Sequence, residues 1–143
     1  MVIAIDGPSG SGKTSTAKLL ADRMNFYYCD SGSLYRAITY HFIKREIDLD
    51  SKFEIANELK QIEINYDIAS NDIYLNTECV TDFLRTDEVT GNVSKVSSIK
   101  IVRDFLISIQ RGLGQNNNII LDGRDIGTTI FPKADYKFYI DAD

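Results

Sequence analysis

The sequence predicts a three-layer α/β fold built on a parallel sheet, and three observations carry the prediction. Short, mostly apolar runs of four or five residues recur at 2–5, 26–29, 119–122 and 136–140. Segments with helical apolar spacing stand between them. A glycine-rich turn with Gly7, Gly10 and Gly12 directly follows the first run.

The elements follow in order. Residues 2–5 read as a buried strand ending in Asp6-Gly7. Ala17, Leu20, Ala21 and Met24 recur at helical spacing, which predicts a helix over Lys13–Met24. Residues 26–29 form a second strand. A helix over 31–46 follows, with Asp30 or Ser31 as N-cap. Phe53, Ile55, Ala56 and Leu59 predict a helix over 52–60. Ile62, Ile64 and Tyr66 alternate with polar residues, as do Ile73 and Leu75, and Asn71-Asp72 between them signals the turn of an antiparallel hairpin. A short helix is expected over 86–96. Ile99, Val102, Leu106, Ile109 and Leu113 step by three and four, an amphipathic helix that Gly112 and Gly114 weaken and end. Residues 119–122 and 136–140 are two further buried strands. The hairpin region interrupts the parallel α/β pattern and reads as an insertion of roughly 40–60 residues, at about 48–96.

Composition narrows the function classes. The 143 residues suffice for one domain with a core. No apolar run approaches the roughly 20 residues that span a membrane. The opening segment lacks the basic region of a signal peptide, so a cytoplasmic location is expected. A formal net charge of -5 argues against bulk binding of nucleic acid or an anionic membrane. Cys29 and Cys79 lie far apart and His41 is the single histidine, so no Cys/His metal cluster can be assembled. The sequon-like Asn92-Val93-Ser94 is read as a chance match.

Three segments carry chemistry. Gly7-Pro8-Ser9-Gly10-Ser11-Gly12-Lys13-Thr14 fits G-x-x-x-x-G-K-[ST] at every fixed position and lies between a strand and a helix, as a P-loop must. Its backbone N–H groups would face phosphate at a helix N-terminus, with Ser15 completing the phosphate-binding set. Lys13 would reach the β- and γ-phosphates, and the Thr14 hydroxyl would ligate Mg²⁺. Asp30-Ser31-Gly32-Ser33-Leu34-Tyr35-Arg36 sits at the carboxyl edge of the second strand. Ser31 could bond an anion there and Arg36 add a forked donor; a serine cap beside an exposed surface arginine is the plainer alternative. Leu121-Asp122-Gly123-Arg124-Asp125-Ile126-Gly127 lies at another carboxyl edge. Asp122 could hold Mg²⁺ through water or simply end a strand, and Arg124 and Asp125 would face the cleft or form a weak surface pair.

Taken together, these segments resemble the bacterial-type cytidylate kinases. The resemblance runs in register through the chain, including Phe131-Pro132, Arg85-Thr86 and Val102-Arg103. The Walker motif is widely shared; Asp-Ser-Gly-x-x-Tyr-Arg with Asp-Gly-Arg-Asp-x-Gly-Thr is far more specific. One departure is Thr14-Ser15-Thr16, where the family usually has Ser-Thr or Gly-Thr before an aliphatic residue; Thr14 keeps the hydroxyl.

The resemblance implies a three-layer P-loop fold with an inserted acceptor-binding subdomain, ATP as donor, Mg²⁺ as cofactor and CMP or dCMP as acceptor. It implies that Ser31, Tyr35, Arg36 and Arg124 bind the acceptor nucleotide, and that Ser94, Arg103 and Asp125 read cytosine. Lys13, Arg36 and Arg124 would be the catalytic cations, and Thr14 and Asp122 the metal-site residues. No nucleic-acid or membrane partner is implied, and a monomer is expected. Family members continue with an arginine-bearing lid, a helix and a last strand, so these 143 residues are expected to lack them and to turn over poorly alone. The alternatives are a non-catalytic nucleotide-binding fragment and another small-acceptor P-loop kinase. The absence of Asn-Lys-x-Asp disfavours a GTPase switch.

Overall fold

The computed structural model describes residues 1–141. In chain order the elements are β1 (Val2–Asp6), α1 (Lys13–Met24), β2 (Tyr27–Asp30), α2 (Ser31–Lys44), α3 (Lys52–Leu59), β3 (Ile64–Asp67), β4 (Asp72–Leu75), β5 (Glu78–Cys79), α4 (Asp87–Ser97), α5 (Lys100–Gly114), β6 (Ile119–Gly123) and β7 (Tyr136–Tyr139). A 3-10 turn lies at Thr81–Phe83 and a π turn at Ile126–Ile130. Two compact units result. The first comprises Met1–Gly32 together with the chain from Ile107 onward, and the second Ser33–Leu106.

The first unit is a parallel α/β layer structure, the architecture of P-loop nucleotide-binding proteins. Its sheet has the order β2-β6-β1-β7. β1 pairs with β6 from Val2↔Ile119 to Asp6↔Gly123, and β2 pairs with β6 from Tyr27↔Ile119 to Asp30↔Asp122. Central parallel strands are covered on both faces, so they need continuous apolar sequence. β6 is buried at all five residues, and its first three, Ile119-Ile120-Leu121, are continuously apolar. α1 lies on the sheet through Ala17 and Ala21, which pack with Ile3, Ile5, Tyr28 and Ile120. Each of those isoleucines contributes about 1.5–3 kcal/mol on burial. The small alanines leave room for the Tyr28 ring. Asn25 ends α1 in the left-handed conformation at φ 56.

β7 corrects the sequence reading. Residues 136–140 are predicted as a buried strand, but all four residues of β7 are exposed. Among the described residues β7 pairs with β1 alone, so pairing does not bring burial.

The second unit carries the antiparallel sheet β3-β4-β5. Ile64, Tyr66, Ile73 and Leu75 supply its buried face by strict alternation. Asn76 and Thr77, both at positive φ, make the two-residue turn from β4 to β5. β5 escapes sequence reading because Asn-Thr is a weaker turn signal than Asn-Gly. Ser51 caps α3 by accepting from the Glu54 N–H at 3.2 Å, and Thr86 caps α4 by accepting from Val89 N–H at 3.3 Å. No described helix is long and apolar enough to cross a membrane.

Candidate functional site

Because β1, β2 and β6 run parallel, their carboxyl ends share one edge of the first unit's sheet. Open parallel sheets bind ligands at that edge. Three segments emerge there: the glycine loop after β1, Ser31 after β2, and Arg124-Asp125 after β6.

The glycine loop leaves β1 at Gly7, whose N–H donates to the Gly123 carbonyl at 3.2 Å. A Cβ at Gly7 would collide with the carbonyl oxygen of Ile140. Gly10 and Gly12 adopt φ 74 and 85, left-handed values that disfavour other residues. Gly12 is the N-cap of α1, so the free N–H groups of the helix start border the loop. Pro8, Ser9, Gly10 and Ser15 are exposed and reachable by a ligand. The Lys13 ammonium donates to the Pro8 carbonyl at 3.3 Å, folded back over the loop. The Ser11 hydroxyl is buried and has no hydrogen-bond partner among the described residues.

At the end of β6, Asp122 is almost wholly buried, and the Tyr28 hydroxyl donates to its Oδ2 at 2.6 Å. Burial, reinforced by the negative charge of Asp30, pushes its carboxyl up to about 6. Hydrogen bonds from Tyr28 and Thr14 and the charge of Lys13 pull the other way. Burial and the neighbouring acids also push the Tyr28 phenol far up, so it remains a donor. Lys13, Thr14 and Asp122, chosen from separate motifs, therefore interact in one place.

That donor set fits Mg²⁺. The ion takes hard oxygen ligands and commonly needs only one or two protein groups beside substrate phosphates and waters. No cluster of three acidic, histidine or cysteine side chains is present among the described residues, and none is required for such a site.

Arg124 reaches back to the loop. Its Nη2 donates to Ser9 Oγ at 2.6 Å, across 115 positions of sequence. Asp6 holds this segment in place: its buried carboxylate accepts from the Ile126 N–H and the Gly127 N–H, each at 2.8 Å. Asp125 is half-buried, and its carbonyl accepts from Thr129 and Ile130 N–H groups. Ser31 is buried, and a Cβ on Gly123 would stand 2.5 Å from its hydroxyl. Asp30 Oδ1 accepts from Gly32 N–H at 2.9 Å, shaping the start of α2.

Sequence reading missed three of these parts. In the sequence Asp6 ends a strand, Tyr28 lies within one, and Gly123 is a motif glycine with no assigned role. Only pairing across the sheet gives them their roles. The i,i+2 alternation along β6, which puts Ile120 and Asp122 on one face, was the available hint.

The remaining candidates belong to the second unit. The Arg36 Nη1 donates to the Leu84 carbonyl at 3.0 Å and the Thr90 hydroxyl at 2.9 Å, which anchors the guanidinium. Tyr35 is half-buried one residue earlier on α2. Ser94 on α4 and Arg103 on α5 are exposed.

Comparison with known proteins gives one consistent family. Residues 3–143 match the family model described as cytidylate kinase. A cytidylate kinase of Clostridioides difficile is 45% identical over 140 residues, covering 98% of this chain and 64% of the relative. One from Fusobacterium nucleatum is 47% identical, covering 98% and 63%. A bifunctional pantoate ligase/cytidylate kinase of Prochlorococcus marinus is 44% identical, covering 99% of this chain and 28% of the relative. The chain thus spans 64% and 63% of the length of the two single-function relatives.

Proposed function

The chain belongs to the cytidylate kinase family, and from that premise we propose that the protein transfers the γ-phosphoryl group of ATP to CMP or dCMP. The observation that carries the reading is the convergence at one sheet edge of a glycine-built loop, the Lys13–Thr14–Asp122 group and the Arg124 guanidinium. The loop amides and Lys13 would hold the donor phosphates, with Pro8, Ser9, Gly10, Ser11 and Ser15 lining the path. Thr14 and Asp122 would hold Mg²⁺, which when bound supplies charge neutralisation at the phosphates.

Phosphoryl transfer asks the protein mainly for alignment and compensating charge. Arg36, Arg124 and Ser31 would align the acceptor phosphate, and Tyr35 would pack beside the nucleotide. That phosphate is already an anionic nucleophile, so no strong general base is needed. Tyr35, Arg36, Ser94 and Arg103 would contact the acceptor nucleotide, and the segment at about 48–96 would be the inserted acceptor-binding subdomain.

Base selection follows from donor and acceptor patterns. Cytosine offers an amino donor beside the N3 and O2 acceptors. Ser94 and Asp125 can accept from the amino group, and Arg103 can donate to N3 and O2. Uracil reverses two of these contacts, at about 1–3 kcal/mol for each buried group left unpaired. The test is kcat/KM of the full-length protein with CMP, dCMP, UMP and AMP. CMP or dCMP should lead UMP by about 30-fold or more, since two mismatches cost at least ~2 kcal/mol. Equal rates with UMP or AMP would overturn the assignment of the acceptor.

A further inference from the structure

We infer that Tyr28 is a positioning residue for the metal-binding carboxylate, acting through Asp122 and not by touching nucleotide. The inference rests on the ATP and Mg²⁺ reading above and adds a residue that no motif contains.

β2 and β6 are parallel, with Tyr28 opposite Ile120 and Asp30 opposite Asp122. Side chains two residues apart on a strand share a face. Tyr28 therefore stands one pleat below Asp122 on the neighbouring strand. A tyrosine at that spot can span the offset with its ring and deliver a hydroxyl to the carboxylate.

Packing then fixes the donor. The ring is buried among Ile3, Ile5, Ala17, Ala21 and Ile120, with the Lys18 ammonium 5.7 Å from its centroid. These neighbours pack around the ring. Its hydroxyl donates to Asp122 Oδ2 at 2.6 Å. Phenylalanine would satisfy the core equally well, so packing alone does not call for the hydroxyl.

The consequence falls on the metal site. A carboxylate on one torsion rotates unless an oxygen is tied. Tyr28 ties Oδ2 at 2.6 Å, and Thr14 interacts with the same carboxylate. The Asp122 oxygens are thereby kept in one orientation beside the hydroxyl that would share the ion. Mg²⁺ demands near-ideal octahedral geometry, so a swivelling carboxylate would weaken it. Partners that orient metal ligands typically contribute about 10–100-fold to metal affinity.

The experiment is Tyr28→Phe in the full-length protein, read by water-proton relaxation with Mn²⁺ and a non-hydrolysable ATP analogue. The Mn²⁺ affinity of the protein–nucleotide complex should fall about tenfold or more, while analogue affinity without metal stays as in the unaltered protein. Adding Tyr28→Phe to Asp122→Asn should cause no further loss, because both act through one carboxylate. Undiminished Mn²⁺ affinity in the folded Tyr28→Phe protein, or additive losses in the double variant, would overturn the role. Should Tyr28→Phe not fold, the unaltered protein decides. With ring-labelled tyrosine, the Tyr28 Cζ resonance, identified by its contacts with the Ala17 and Ala21 methyls, should move when Mg²⁺ joins the nucleotide complex. No movement would overturn the role. A Lys13→Ala control separates the two levels: if it binds the analogue normally, the nucleotide site itself falls and this inference with it. If it loses binding while Tyr28→Phe keeps full Mn²⁺ affinity, only the role of Tyr28 falls.

Discussion

Replacing Asp6 by asparagine should damage both the fold and the site, and the size of the effect follows from two hydrogen bonds. The carboxylate accepts from the Ile126 N–H with Oδ1 and from the Gly127 N–H with Oδ2, each at 2.8 Å and in a buried setting. Asparagine has a single acceptor oxygen, so its amide nitrogen would confront one of the two N–H donors. One charge-assisted bond is lost and one buried donor is left unpaired, costing about 2–3 kcal/mol. For a chain of 143 residues that lowers the melting temperature by roughly 7–10 °C. The same change frees the turn that follows Arg124, so the Arg124–Ser9 contact loosens and turnover falls along with stability. Thermal unfolding of Asp6→Asn beside the unaltered protein checks the first part, and kcat/KM with CMP checks the second. A melting temperature within about 1 °C of the unaltered protein would refute the reasoning, because an unpaired buried amide must register in stability.

Three further outcomes are expected. Asp122 titrates near 6 because burial and Asp30 disfavour its charge; its raised pKa gives stability that is full below the unfolded value near 4 and lost as pH rises through about 6. Asp122→Asn should therefore melt higher than the unaltered protein at pH 8, a gap that closes as pH falls toward 4, while its Mg²⁺-dependent activity collapses. In the unaltered protein, activity should decline as pH drops through about 6 and the carboxylate gains its proton, measured as kcat/KM against pH. Arg124→Ala should lower kcat/KM for CMP by about 10–100-fold through loss of charged hydrogen bonds to phosphate, and lysine should restore little of it because the forked geometry is gone.

Much of this was legible in the sequence, for physical reasons that also explain the omissions. Lys13 and Thr14 are readable because the P-loop is local: its glycines, lysine and hydroxyl all sit within eight residues. Ile119-Ile120-Leu121 is readable because a strand buried on both faces must be apolar throughout. Asp6, Tyr28 and Gly123 act across β1, β2 and β6, and register between distant strands leaves no mark in a single segment. β7 shows the opposite error. Its aromatic sequence suits a strand, but burial depends on what packs against the strand, which Tyr136, Phe138 and Tyr139 do not encode. Arg36 was legible as an arginine at a helix start, yet its bonds to Leu84 and Thr90 depend on a segment about 50 residues away.

The most direct measurement follows the fate of a labelled γ-phosphate. Full-length protein incubated with Mg²⁺, γ-labelled ATP and CMP should move the label into CDP, and Lys13→Ala should abolish the transfer. Label released only as inorganic phosphate, or transfer that persists without the Lys13 ammonium, would contradict a glycine loop that grips the donor and hands its terminal phosphoryl group to a second nucleotide.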